Sequence, residues 1–256
     1  MMKRAVFLRQ GLAAILGGLV GFAGVAHAGE VQVAVAANFA GPLARIAESF
    51  TAATGHKLVV SAGATGKFYT QIQAGAPFEV LIAADDETPK KLVAEGLAVA
   101  GSNFTYAIGK LVLWSAKPDF VDAEGRVLAG KAYEHLAIAN PKLAPYGAAG
   151  VEVLKARGLY DAVAPRLVTA ESIAQAYQFV STGNAELGFV ALSQVAVPGK
   201  PAQGSYWLVP SALYGRIRQD AVLLKTGEKN AAAAALLDYL KSAPAQAVVE
   251  AYGYGH

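Results

Sequence analysis

Two short segments contain residue types that can bind a small anion. One is Ala36-Ala37-Asn38-Phe39, where an apolar run that predicts a strand gives way to a predicted helix, and the other is Gly63-Ala64-Thr65-Gly66-Lys67. Asn38 is a good helix N-cap type, Thr65 supplies a hydroxyl, and Gly66 lets a ligand approach the backbone closely. Free N–H groups and the positive end of a helix dipole at each junction would form an anion site. Taken singly, each junction is better explained by ordinary helix capping.

Motifs of enzymes and metal sites are incomplete or missing in the sequence. The segment from Ser61 to Phe68 resembles a P-loop, but Ser61 replaces the first glycine and Phe68 replaces Ser/Thr. There is no G-x-S-x-G and no H-E-x-x-H, and with no cysteine the chain has no disulfide, thiol nucleophile or cysteine-ligated zinc. The acidic run Asp85-Asp86-Glu87 is interpreted as a solvated helix start, with a cation site as the alternative. We expect no enzyme activity and no cofactor. The alternatives are an exported hydrolase that uses Asp85 or Asp86, and a structural or interaction module.

The elements that would position the two junctions follow from the hydrophobic pattern. Alternating strands and helices predict an α/β architecture with parallel sheets. Predicted strands are Val31–Ala37, Lys57–Ser61, Glu79–Ala84, Lys110–Ser115, His135–Asn140, Leu187–Leu192, Tyr206–Val209 and Ala221–Leu224. Helices are predicted around Leu43–Phe50, Phe68–Ala74, Thr88–Glu95, Ala148–Arg157, Ile173–Ser181, Lys229–Lys241 and Ala245–Tyr252. Because proline cannot lie deep in a helix, Pro42 predicts that the first regular helix begins slightly late.

The first 28 residues have the layout of a secretory signal peptide. Lys3, Arg4 and Arg9 form a cationic start, an uncharged and mostly apolar run follows, and Ala26-His27-Ala28 is an A-x-A cleavage signal. The run is shorter than the ~20 apolar residues of a membrane span. We therefore predict cleavage before Gly29 and a periplasmic mature protein.

Cleavage would remove the net charge of the chain. The full sequence has 22 Lys and Arg against 19 Asp and Glu. Loss of three bases with the signal leaves 19 of each sign. No excess of basic residues then remains to indicate nucleic acid or an anionic membrane as a partner.

Several segments resemble the periplasmic molybdate-binding proteins of ABC transporters. The most specific are Gln71–Val80 (QIQAGAPFEV) and Asn140–Gly147 (NPKLAPYG), and Gly183–Val190 (GNAELGFV) and both junctions above accompany them. The resemblance covers essentially the whole chain after the signal. It implies that the protein captures molybdate, and tungstate as well, with another tetrahedral oxyanion such as sulfate as the alternative ligand.

The resemblance also implies a fold and partners. The fold would be α/β, of the type II periplasmic binding protein class, with two lobes, a hinge and a central ligand cleft. Residues 29–108 and 215–256 would form lobe I, and residues 109–214 would form lobe II. A monomer would deliver the anion to a membrane permease and its ATPase.

The family holds its anion with uncharged donors, and their matches here are implied by the resemblance. They are the Ala37 amide, Asn38, Thr65, Tyr146 and the backbone at Ile173. Some members place a ligand tyrosine where this chain has Ala191, and Tyr146 is interpreted as its substitute. Molybdenum would be bound only as the oxyanion, without a direct bond from protein to metal. A site made of donors suits fully deprotonated molybdate and tungstate, whereas the O–H of hydrogen phosphate would find no acceptor.

Overall fold

The computed structural model describes residues 28–201 and 203–255. The predicted signal peptide, residues 1–28, lies outside the described residues apart from Ala28. Within the described residues there are ten strands: β1 (Glu30–Ala36), β2 (Lys57–Gly63), β3 (Val80–Ile82), β4 (Phe104–Gly109), β5 (Leu111–Ser115), β6 (Leu136–Ala139), β7 (Leu167–Ala170), β8 (Leu187–Ala191), β9 (Ser205–Leu208) and β10 (Ile217–Leu223). The α-helices of the same residues are α1 (Ala40–Thr54), α2 (Thr65–Gln73), α3 (Glu87–Ala94), α4 (Pro145–Ala156), α5 (Tyr160–Val163), α6 (Ile173–Ser181), α7 (Leu192–Val195), α8 (Ala231–Leu240) and α9 (Ala243–Ala251).

The strands form two five-stranded sheets, in the orders β2-β1-β3-β10-β4 and β7-β6-β8-β5-β9. The predicted parallel pairing holds for β1 with β2 and β3, and for β6 with β7 and β8. It is wrong for β10, which is antiparallel to β3 and β4, and for β5, which is antiparallel to β8 and β9. The physical reason is that β5 and β10 enter their sheets directly from the other sheet, without the helical crossover that enforces a parallel pair.

Each sheet is covered by helices that bury an apolar face. In α1, Leu43, Ile46 and Phe50 are fully buried at the spacing of one helix face. The helix ends at Gly55, whose φ of 76° is left-handed and costs glycine little. The hydrophobic pattern therefore predicts both the buried face and the end of α1.

We call the first sheet with its helices lobe I, and the second sheet with its helices lobe II. The chain passes between the lobes twice, directly from β4 to β5 and again between β9 and β10. The apolar core of lobe II includes Ala36, Ala64 and Ala84, which follow or end strands of lobe I. The carboxyl ends of the parallel strands of lobe I therefore meet lobe II, which is where α/β sheets bind ligands.

Two negative findings apply to residues 28–201 and 203–255. No helix there is long and apolar enough to cross a membrane. No group of three or more His, Cys, Asp or Glu side chains in that part of the chain could hold a metal ion.

Candidate ligand-binding site

A small cavity lies where the two lobes meet, with about 10 Å³ open to a sphere the size of a water molecule. That is about the smallest space that holds one water, so the walls of the cavity are closely packed in this arrangement. All five residues that the resemblance assigns to the ligand line this one cavity: Ala37, Asn38, Thr65, Tyr146 and Ile173. None of the described residues that line it has a charged side chain. Asn38, Thr65, Tyr146 and Ile173 are only 1–4% exposed, so the structure shows a closed arrangement.

The first junction contributes a tight turn to the cavity. Residues Ala37–Phe39 form a 3₁₀ turn between β1 and α1, and Pro42 lies in the first turn of α1. The regular helix thus begins at Ala40, after the 3₁₀ turn, and Pro42 does not delay it. Asn38 does not cap the helix, because the cap positions are Ala36 and Phe39 and neither uses a side chain. The turn supplies no partner for the first N–H groups of the helical segment.

The Asn38 side chain turns into the protein. Its Nδ2 donates to Gln219 Oε1 at 2.9 Å and to the Tyr254 hydroxyl at 3.0 Å. The Tyr254 hydroxyl also lies 2.9 Å from the Asn38 carbonyl and 3.0 Å from Ser193 Oγ. If an anion accepted one amide hydrogen of Asn38, the Tyr254 hydroxyl would lose its bond to Asn38 Nδ2. It would keep its contacts with the Asn38 carbonyl and with Ser193 Oγ.

The second junction aims a hydroxyl and a helix end at the cavity. Thr65 is the first residue of α2, so this helix begins three residues before the predicted Phe68. Its Oγ1 accepts a hydrogen bond from the Ala84 amide at 2.9 Å. Since a hydroxyl has one hydrogen and accepts through its lone pairs, that hydrogen stays available for an acceptor in the cavity.

Lobe II contributes two further helix starts. Tyr146 lies in the first turn of α4, directly after Pro145, and Ile173 is the first residue of α6. N–H groups at these positions have no partner within the helix. With the start of α2, three α-helix N-termini meet at the cavity beside the 3₁₀ turn that precedes α1, and they favour negative charge there.

The Tyr146 hydroxyl lies away from the helix start, in a buried polar cluster. It accepts a hydrogen bond of 2.9 Å from Gln219 Nε2. Burial raises its pKa well above the ordinary value of 10.0, and the neighbouring Tyr254 raises it further. Burial likewise raises the pKa of the Tyr106 hydroxyl, which lies 2.9 Å from Gln219 Oε1. These phenols therefore stay neutral, and their charge does not oppose an anion.

The closed arrangement is held by contacts between the lobes beside the cavity. The Gly66 amide donates to the Leu143 carbonyl at 2.9 Å. A Cβ on Gly66 would lie 3.0 Å from the Leu143 Cα, so glycine permits this approach. At the exposed rim, Lys67 Nζ lies 3.4 Å from Glu171 Oε2. Lys67 and Glu171 thus meet across the mouth of the cleft.

Sequence reasoning found the two junctions of lobe I from local chemistry and the two residues of lobe II through the resemblance. It missed Gln219, Tyr254 and Ser193, which do not line the cavity but hydrogen-bond to residues that do. Gln219 is fully buried and lies between Arg218 and Asp220 in β10, IRQDAVL. Because these three polar residues are adjacent in the sequence, no local pattern singled out Gln219 as the buried one.

Two α/β lobes joined by a double crossing, with a cavity between them, have the architecture of type II periplasmic binding proteins. Residues 31–255 match the family model described as bacterial extracellular solute-binding protein, and the chain belongs to that family.

Several of its curated relatives are molybdate-binding proteins. ModA of Azotobacter vinelandii is 63% identical over 230 residues, which is 90% of this chain and 91% of that protein. ModA of Rhodobacter capsulatus is 56% identical over 236 residues, 92% of each chain. Among solved structures, a periplasmic molybdate-binding protein of Azotobacter vinelandii superposes with a TM-score of 0.86 at 45% identity, covering 88% of this chain and 99% of that one.

Proposed function

We propose that this protein captures molybdate in the periplasm and delivers it to the permease and ATPase of an ABC transporter. The observation that carries the proposal is the uncharged cavity lined by the 3₁₀ turn before α1 and by the first residues of α2, α4 and α6, in a chain 63% identical to a molybdate-binding protein. The predicted signal peptide supports the location. The lobes would be residues 29–108 with 215–256, and residues 109–214.

The proposed donors are neutral. They are the backbone N–H groups of Ala37, Asn38, Thr65, Tyr146 and Ile173 and the Thr65 hydroxyl, which all belong to residues that line the cavity. Hydrogen bonds to a charged group contribute about 1.5–3 kcal/mol each. Six such bonds offset a desolvation cost of several kcal/mol per charge. The remainder supports binding in the micromolar to nanomolar range, about 8–12 kcal/mol.

Neutral donors also suit a carrier that must release its ligand. A lysine or arginine in the cavity would add attraction, and the ligand would then leave more slowly. Release here would need the lobes to separate, which breaks the contacts of Gly66 with Leu143 and of Lys67 with Glu171. Opening would divide the donors between the lobes and expose the anion to water.

The ligand specificity follows from charge, protonation and size. Molybdate and tungstate are dianions of nearly equal size, so both should bind. Hydrogen phosphate would bury an O–H without an acceptor. Sulfate is smaller and would make longer contacts with the same donors.

Titration calorimetry of the mature protein with molybdate, tungstate, sulfate and phosphate tests the proposal. We expect molybdate and tungstate to bind at micromolar Kd or tighter and to displace sulfate in competition. Sulfate binding as tight as molybdate binding would favour the alternative ligand. No binding of any of the four anions would refute the proposal. Native mass spectrometry of the same samples reports whether the protein is a monomer.

A further inference from the structure

Gln219 is a fully buried polar residue at the place where the lobes join. It lies on β10, where the pairing with β4 shifts register between Gln219 and Asp220. Irregularities of this kind re-aim a side chain out of the regular alternation of a strand. Gln219 does not line the cavity, so any effect on a ligand must pass through other residues.

The Gln219 carboxamide connects the two lobes. Its Oε1 accepts from Asn38 Nδ2 at 2.9 Å and lies 2.9 Å from the Tyr106 hydroxyl, and both of these residues belong to lobe I. Its Nε2 donates to the Tyr146 hydroxyl of lobe II, also at 2.9 Å. Asn38, from lobe I, and Tyr146, from lobe II, both line the cavity.

The backbone makes room for this connection at Gly109, the last residue of β4 before the chain enters lobe II. A Cβ on Gly109 would lie 2.2 Å from the Tyr146 hydroxyl oxygen and 2.5 Å from Gln219 Nε2. The crossing strand, Gln219 and Tyr146 are therefore packed against one another without space for a methyl group.

The Gln219 carboxamide determines which group donates and which accepts in each of these hydrogen bonds. An amide oxygen only accepts and an amide nitrogen only donates. Asn38 therefore has to present its nitrogen to Gln219, and the Tyr146 oxygen has to accept. In the part of the chain that the structure describes, no buried side-chain N or O atom lacks a partner, so the cluster is fully satisfied. Satisfied buried networks rigidify the groups that they connect.

We infer that Gln219 is a positioning residue of the anion site. Its carboxamide ties the Asn38 wall of the cavity to the Tyr146 wall and holds both at the spacing that the anion needs. The inference rests on the proposed function. Preorganised walls bind more tightly because less ordering remains to be done when the ligand arrives.

The test replaces Gln219 with methionine, which has a similar length and no hydrogen-bonding amide, and with glutamate, which keeps the shape but cannot donate to Tyr146. We expect Gln219→Met and Gln219→Glu to raise the Kd for molybdate at least tenfold in calorimetry. Stopped-flow measurements should place most of this change in the dissociation rate, because the loss is in the closed state. A purely structural role would lower thermal stability without moving that rate.

Tyr133→Phe is a matched control. Tyr133 is buried in lobe II, and its hydroxyl donates to the Leu128 carbonyl at 2.8 Å, away from the cavity. This variant loses one buried hydrogen bond, whereas Gln219→Met loses three and Gln219→Glu loses the donation to Tyr146. We expect a lower melting temperature and a Kd within twofold of the wild type.

Tyr146→Phe provides a second route if the Gln219 variants fail to fold. It deletes only the hydroxyl that accepts from Gln219, and we expect the same direction of change. When Tyr146→Phe is combined with Gln219→Met, the fold increase in Kd should be smaller than the product of the increases in the two single variants. Folded variants with wild-type Kd and dissociation rate would overturn the inference, and so would a fully multiplicative double variant. A wild-type protein that binds no molybdate would instead overturn the proposed function.

Discussion

Removal of the Thr65 hydroxyl is the sharpest perturbation of the site. Thr65→Val keeps the shape of the side chain and deletes a hydroxyl on a residue that lines the cavity. Thr65 is 1% exposed and its Oγ1 already accepts from the Ala84 amide at 2.9 Å. The variant therefore loses two separate interactions, and the two should appear in different measurements.

One lost interaction lowers the affinity for the ligand, and the other lowers the stability of the fold. Loss of one hydrogen bond to a charged ligand costs about 1.5–3 kcal/mol, which is about a 10- to 150-fold increase in Kd. The Ala84 amide loses its acceptor whether or not the anion is bound. That loss costs about 1–3 kcal/mol of folding stability and cancels from the binding equilibrium.

The assay is calorimetric titration with molybdate, together with thermal unfolding of the ligand-free protein. Thr65→Ser restores the hydroxyl and serves as the control, with a Kd expected within about threefold of the wild type. Thr65→Val could keep wild-type affinity for molybdate while the stability of the ligand-free protein fell. The Thr65 hydroxyl would then only accept the hydrogen bond from the Ala84 amide, and its assignment to the ligand would be wrong.

Three further predictions concern closure, pH and the rim. Gly66→Ala places a Cβ 3.0 Å from the Leu143 Cα and should weaken molybdate binding by about 1–3 kcal/mol in calorimetry, because the overlap arises only when the lobes close. Burial raises the pKa of Asp85 above its ordinary 3.8, so the folded state loses stability as pH rises above about 4. Asp85→Asn should therefore raise the melting temperature at pH 7, with the difference vanishing near pH 3. Lys67→Ala breaks an exposed ion pair with Glu171 and should change the Kd by less than about fivefold.

Each of these predictions has an outcome that contradicts it. Unchanged affinity in Gly66→Ala would mean that the contact with Leu143 does not form in the liganded state. A stability gain in Asp85→Asn that persisted undiminished at pH 3 would show that charge burial is not its cause. A rise in the Kd of more than about twentyfold in Lys67→Ala would show that the ion pair of Lys67 with Glu171 contributes directly to binding.

The sequence allowed much of lobe I to be predicted because its signals are local. The buried face of α1 and the end of that helix at Gly55 depend on neighbouring residues alone, and both agree with the structure. The helix begins at Ala40, two residues before Pro42. The strand Phe104–Gly109 escaped prediction. Its exposure alternates weakly, and its neighbour β10 is more than a hundred residues away along the chain.

The site shows the same limit. The residue types at Asn38 and Thr65 indicated donors at strand ends, but the direction of a side chain depends on distant partners. Asn38 turns towards Gln219 and Tyr254, which lie 181 and 216 residues away along the chain. Tyr146 was expected to be a ligand tyrosine. Its hydroxyl accepts from Gln219 in a buried polar cluster, and its backbone N–H lies at the start of α4. Contacts of this range are set by the packing of the lobes, which no local pattern encodes.

A crystal structure of the mature protein with molybdate, with anomalous data at the molybdenum edge, tests the central claim most directly. We expect one strong anomalous peak between the starts of α1, α2, α4 and α6, with the molybdate oxygens within about 3.2 Å of the Thr65 hydroxyl and the backbone nitrogens of Asn38, Tyr146 and Ile173. A peak at any other place on the protein, or a cavity that stays empty at saturating molybdate, would contradict the account.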